Sequence, residues 1–147
     1  MARSGRHNTK TPTWWEVWTK ISEPRHKKPS MRGMMHAVSF FVALVAVIVL
    51  DLHAPAGFPR QACLVYGLSL LAVLGTSALY HRVYWPDKLH LIVKRLDHCM
   101  IFFLIAGTYT PIAMLSLRNN IGQMLLYAIW IAAAAGVLVK LLWISGK

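Results

Sequence analysis

Four long apolar stretches dominate this sequence and restrict what it can fold into. They occupy residues 34–50, 62–80, 99–117 and 121–143 of a chain in which 56% of the residues are hydrophobic. Each has the roughly 17 to 25 residues that a helix needs to cross a bilayer. Because the hydrocarbon core contains no water, each stretch must satisfy its own backbone, and none shows the alternation of barrel strands. The sequence therefore predicts an all-α, polytopic membrane helix bundle with four transmembrane helices.

The chain divides into a basic tail and one membrane domain. In the tail, residues 1–33, Thr13 and Glu16 form a capping box that predicts a short tryptophan-rich helix. Such a helix suits the headgroup interface, and a surface helix packed under the bundle is the alternative. Residues 34–147 form the transmembrane helix bundle, because the intervening loops are too short to be domains.

Lysine and arginine residues are distributed unevenly between the two ends of the predicted helices. Of the 16, 14 lie in the N-terminal tail, the second connection or the C-terminal part, while Arg60 and Arg118 lie in the other two connections. The positive-inside rule therefore predicts a plasma-membrane protein with both termini in the cytoplasm. Topology and an anionic inner leaflet account for much of the net charge of +11. We expect membrane lipids as partners and no nucleic acid.

Polar side chains meet at the predicted cytoplasmic ends of the second and third spans. Ser77 and His81 are four residues apart and share one helical face, and Asp97 opens the third apolar stretch. Ionisable groups are costly at membrane depth, so their presence there requires a reason. Ser77 can orient the His81 ring or a bound water, as neighbours of metal ligands do. For Asp97, an ion pair with a nearby lysine or arginine is an equally good explanation.

The other histidines are weaker candidates. Interfacial hydrogen bonding is the expected role of His36, His53 and His90, and metal binding has no support for the tail residues His7 and His26. His36 lies at the same predicted membrane face as His81, so the two could form a site with Asp97 or His98. The topology permits this arrangement, but the spacing does not require it.

Two motifs carry a family resemblance. SALYH at residues 77–81, followed by DHCMIFFLIAGTYTP at residues 97–111, closely resembles the haemolysin III family of the progestin and adipoQ receptor group. VYGLS at residues 65–69 and the Met35-His36 pair at the start of the first span support it. The resemblance runs from about Gly33 to at least Leu117, and the helix bearing TYTP is its most specific part.

The resemblance implies a metal site and a reaction. In that group a seven-helix bundle holds zinc near the cytoplasmic face, through a histidine of the second helix and an HxxxH pair of the last. His81 matches the second-helix ligand, Ser77 the serine one turn before it, and Asp97 the aspartate associated with metal-bound water. The group is linked by motif to ceramidase-type amide hydrolases of membranes. We therefore expect zinc as the cofactor, His81 as its ligand, and Asp97 and Ser77 as catalytic residues.

The sequence departs from this pattern after its fourth span. No histidine follows His98, so the HxxxH pair is missing and about three helices of the pattern are absent. A catalytic zinc normally has three protein ligands and an open position. Three interpretations follow. The chain is a zinc-dependent hydrolase of lipid amides whose missing ligands come from a second copy or a C-terminal half, a non-catalytic pore-forming or binding protein, or an inactive truncated fragment.

Overall fold

The computed structural model describes Thr13 and residues 30–117 and 120–143, and in these residues the chain is helical apart from Thr13 and short connections. The long helices are α1 (Ser30–His53), α2 (Phe58–Arg82), α3 (Asp87–Pro111) and α4 (Asn120–Trp143). A π-helical segment, Ile112–Ser116, follows Pro111. The predicted all-α architecture is confirmed. The short helix expected in the tail lies, Thr13 apart, outside the described residues.

All four helices are long and apolar enough to cross a membrane. The candidate spans are Gly33–His53, Phe58–Arg82, Leu89–Ser116 and Asn120–Leu142. Within residues 30–117 and 120–143, the four spans predicted from the sequence are therefore confirmed.

The start of the third helix was predicted wrongly. It begins at Asp87 rather than near Cys99, so Asp97 lies well inside α3 and not at its end. Residues 87–96 mix apolar and charged side chains, and this segment is helical although its composition interrupts the apolar stretch. Hydropathy marks where a helix can enter lipid, whereas backbone hydrogen bonding decides where the helix begins.

The helices pack in chain order. Within the described residues, α1 packs on α2, α2 on α3, and α3 on α4, while the π-helical segment contacts the last three helices. This places α1 and α4 at the two edges of a row. Large apolar side chains on both edge helices are exposed, among them Phe41 and Ile131. In a bilayer these faces lie against lipid, which is as apolar as they are.

Small residues set the distance between α1 and α2. A Cβ added at Gly67 would lie 2.5 Å from Val47 Cγ1, and one added at Gly75 would lie 3.2 Å from the Phe40 ring. The two helices run antiparallel, so these contacts follow one another along the pair. Small residues of this kind let the backbones of neighbouring membrane helices approach closely.

The contacts of α3 follow the same principle. Gly107 faces the Ser69 side chain of α2, and a Cβ added at Gly136 of α4 would lie 2.5 Å from the Phe102 ring. Ala106 is fully buried. Close backbone approach, rather than a core of large side chains, holds this row together.

Candidate functional site

The start of α1 and the end of α2 approach each other closely at Gly33. A Cβ added there would lie 3.1 Å from His81 Cβ and 2.8 Å from Arg82 Cγ. His36 follows Gly33 by three residues and shares its helical face. The backbone contact at Gly33 therefore brings His36 and His81 to the same end of the row.

His36 and His81 form a parallel pair of rings. Their ring centroids are 6.0 Å apart and their planes differ by 16°. Side chains on a helix tilt towards its N-terminus. Because α1 and α2 are antiparallel, the two imidazoles lean towards each other from different levels. Both residues are half-buried.

Tyr80 connects this pair to α3. Its ring centroid lies 4.8 Å from that of His81 and 5.3 Å from that of His90. His90 and Asp97 are seven residues apart and therefore lie on the same face of α3. The residue adjacent to His81 thus contacts the face of α3 that carries Asp97.

The three candidate residues differ in their surroundings. Ser77 is buried, with 8% of its surface exposed, one helical turn before His81. His81 lies half-buried in the last turn of α2, and Asp97 is half-buried on α3. That these residues act as ligand and catalytic groups stays a prediction.

The residues described do not complete a zinc site. In residues 30–117 and 120–143, no three histidine, cysteine, aspartate or glutamate residues lie close enough together to hold a metal ion. The arrangement of His36 and His81 with Asp97 or His98 is therefore not formed there. Since a zinc site of the catalytic kind takes three protein ligands, the further ligands would have to come from elsewhere.

Two histidines bond to their own helices. His53 Nδ1 is 2.8 Å from the Val49 carbonyl oxygen, and His98 Nδ1 is 2.7 Å from the Lys94 carbonyl oxygen. Each of these ring nitrogens acts as the donor, because a carbonyl oxygen can only accept. The hydrogen-bonding role expected of His53 is confirmed.

Tyr80 is the residue that sequence reasoning missed. It stands beside His81 in SALYH, and a tyrosine near a membrane face is commonly an interfacial anchor. The signal that could have identified Tyr80 is the angle between successive side chains around a helix. Successive residues of a helix are about 100° apart, so the neighbour of a histidine that faces α1 can face α3.

The described residues form four apolar helices, and a polar cluster of His36, Tyr80, His81 and Asp97 lies at one end of the helix row. These features define a helical integral membrane protein. A sequence model described as Haemolysin-III related matches residues 25–147. The chain therefore belongs to the haemolysin III-related family, as its motifs had indicated.

Individual relatives agree with this assignment. The chain is 32% identical over 121 residues to Hemolysin-3 of Bacillus cereus, an alignment that covers 80% of this chain and 55% of that protein. It is 26% identical over 122 residues to the Hemolysin-3 homolog of Bacillus subtilis, with 81% and 57% covered. It is 27% identical over 115 residues to the human Monocyte to macrophage differentiation factor, with 74% and 47% covered. The chain thus spans about half the length of these relatives, and no solved structure matches it.

Proposed function

We propose that this protein is a zinc-dependent membrane hydrolase of lipid amides, with His81 as a metal ligand and with Asp97 and Ser77 as catalytic residues. Family membership supports the proposal, because these residues match the site that the family resemblance implies. The observation that supports it is the ring contact of Tyr80 with its neighbour His81 and with His90 of α3, because His90 and Asp97 are seven residues apart and share a face of α3.

The proposal requires ligands beyond those described. His81 provides one, and no third residue joins it and His36 within residues 30–117 and 120–143. A second copy of the chain is one source, since the exposed apolar edges of α1 and α4 allow a homo-oligomer. A separate C-terminal half is the other. In both cases the second half of the site would have to meet α2 at the level of His81.

Asp97 is the proposed proton acceptor. A carboxylate is a suitable general base when it lies within hydrogen-bond reach of the water that attacks. Asp97 is half-buried on α3. Ser77 is buried one turn before His81, and in the proposed site its hydroxyl would hold that water.

Hydrolysis of a lipid amide in proteoliposomes tests this function. The purified chain, supplied with Zn²⁺, is expected to release fatty acid from ceramide, and His81→Ala and Asp97→Asn are expected to abolish the release. His53→Ala is the control, because His53 bonds to its own helix at the opposite end of α1. Release that persists in His81→Ala would contradict the proposal, and no release from the unaltered chain would exclude a second copy as the source of the missing ligands.

We further propose that the protein resides in the plasma membrane with both termini in the cytoplasm. The supporting observation is that 14 of the 16 lysine and arginine residues lie in the N-terminal tail, the second connection or the C-terminal part. By the positive-inside rule, these parts of the chain face the cytoplasm. The polar cluster of His36, Tyr80, His81 and Asp97 would then face the cytoplasm.

A pore-forming role is the second candidate. Two relatives bear the name Hemolysin-3 or Hemolysin-3 homolog, and the exposed apolar faces of α1 and α4 could pack between copies. Dye leakage from liposomes tests this role. Leakage above that caused by an unrelated four-helix membrane protein would support a pore-forming role, and equal leakage would contradict this role.

A further inference from the structure

A groove between α3 and α4 is open towards the lipid. Its volume is about 320 Å³, and it is lined by the apolar side chains of Phe103, Trp130, Ala133, Ala134, Val137 and Leu138. Phe103 and Leu138 are 40% and 58% exposed. An enclosed apolar cavity of about 150 Å³ is enough to hold benzene, so this groove has room for a stretch of one acyl chain.

Contacts between α3 and α4 give the groove its shape. Trp130 donates its indole N–H to Thr110, and the Phe103 ring meets Trp130 edge-on. Further along α4, the Phe102 ring occupies the space that a side chain at Gly136 would need. The groove is therefore formed by contacts of the protein itself, and a lipid does not have to open it.

Lys140 continues the groove face of α4 towards the C-terminal end of the helix. It follows Ala133 by seven residues and Val137 by three, so the three residues share one face. Lys140 is the one charged residue in the sequence of α4, and it stands in the last turn of a candidate span that ends at Leu142. Ionisable residues inside membrane spans are rare and are commonly functional.

The Lys140 ammonium group can meet an anion at the headgroup level. Within residues 30–117 and 120–143, the structure shows an ion pair for Asp51 and Arg60 and none for Lys140. The stem of a lysine can lie along apolar surface while its charge reaches the membrane interface. The groove and this charge together match a molecule that has an apolar chain and an anionic head.

We propose that the groove and Lys140 bind one anionic phospholipid, with an acyl chain in the groove and the phosphate at the lysine ammonium group. Anionic lipids are concentrated in the cytoplasmic leaflet, and the proposed orientation places the end of α4 at that leaflet. The leaflet therefore rests on the proposed orientation. Binding itself does not depend on the proposed hydrolysis, so the two can fail separately.

Quenching of Trp130 fluorescence by brominated lipids tests the inference. The full chain, with its other tryptophans replaced by phenylalanine, is reconstituted into equal amounts of phosphatidylglycerol and phosphatidylcholine. One of the two lipids is brominated at a time. A lysine near an anionic membrane surface contributes an attraction equivalent to about a fivefold preference. Brominated phosphatidylglycerol is therefore expected to quench Trp130 more strongly, with an apparent preference of about fivefold.

Three variants in the same background assign the preference to the site. Lys140→Gln is expected to be quenched equally by the two brominated lipids. Lys94→Gln is the matched control and should keep the preference. Lys94 is exposed on α3 nine residues before Phe103, which places it on the opposite side of that helix. Ala134→Leu, which fills the groove, should lower the quenching by both lipids.

The contrary results are distinct. Equal quenching of the chain with Lys140 intact by the two brominated lipids would overturn the selection of an anionic lipid. A preference that survives in Lys140→Gln, or that is lost as fully in Lys94→Gln, would overturn the role of Lys140. Quenching unchanged in Ala134→Leu would overturn the placement of the chain in the groove. Weak quenching by both lipids, together with disulfide cross-linking between copies of Ala134→Cys, would show that a second copy covers the groove instead.

Discussion

Trp130 on α4 donates its indole N–H to the hydroxyl oxygen of Thr110 on α3, at 3.2 Å. Thr110 is 3% exposed, and its own hydroxyl donates to the Ala106 carbonyl oxygen at 2.8 Å. The Phe103 ring meets Trp130 edge-on at 6.1 Å. This hydrogen bond stabilises the contact between α3 and the edge helix α4 in an interface that is otherwise apolar.

Substituting Trp130→Phe is expected to weaken the contact between α3 and α4. It removes the donor and keeps an aromatic ring, and interhelical hydrogen bonds in membranes contribute about 0.6 kcal/mol on average and up to about 1.7. The measurement is the free energy of unfolding in bicelles. A double-mutant cycle with Thr110→Val should show coupling of that size, and strictly additive effects would contradict the bond.

Gly107→Ala is expected to destabilise the contact between α2 and α3. The added methyl group would lie 2.6 Å from Ser69 Cβ and closer still to its hydroxyl oxygen. Overpacking of this kind costs about 1–3 kcal/mol. Gly75→Ala, where the nearest atom is the Phe40 ring edge at 3.2 Å, should cost less. The same unfolding measurement compares them, and Ser69→Gly should restore part of the loss in Gly107→Ala.

The ion pair of Asp51 and Arg60 is expected to contribute little. Arg60 Nε and Nη2 donate to the two carboxylate oxygens at 2.8 and 2.6 Å, joining the end of α1 to the first turn of α2. Both side chains reach solvent, where water and salt screen such pairs. Arg60→Ala should therefore destabilise the protein less than Gly107→Ala does, and its effect should shrink at high salt. An effect that is larger, or independent of salt, would contradict a screened pair.

Cysteine labelling is expected to locate the two ends of the helix row. In a background with Cys63→Ala and Cys99→Ala, a cysteine at Ala56 should react with an impermeant reagent from outside intact cells. A cysteine at Tyr84, which is 67% exposed, should react only in inside-out vesicles. The reverse pattern would overturn the proposed orientation and place the polar cluster outside the cell.

The number of helices could be predicted because each apolar run is long enough to span a bilayer by itself. The helix contacts at Gly67 and Gly75 could also be predicted, since small residues mark close approach. The start of α3 at Asp87 could not, because a helix continues through polar residues that hydropathy excludes.

The candidate site was predictable only in part. The chain crosses the membrane in opposite directions in its second and third spans. His81 lies at the end of the second and Asp97 near the start of the third, so both residues lie towards the same side of the membrane. The partners of these residues depend on how each helix is rotated about its axis, and lipid and protein offer equally apolar surroundings to either face. The contacts of Tyr80 and the pairing of His36 with His81 therefore required the structure.

Cross-linking between α2 and α3 tests the central claim most directly, namely that Asp97 meets α2 beside His81. In the background lacking Cys63 and Cys99, Tyr80→Cys is combined with Asp97→Cys or with the control Ile105→Cys, which lies two turns further along α3. A short thiol-reactive cross-linker applied in membranes is expected to join residues 80 and 97 within one chain and to leave the control pair unlinked. Linkage of residues 80 and 105 without linkage of residues 80 and 97 would contradict the account.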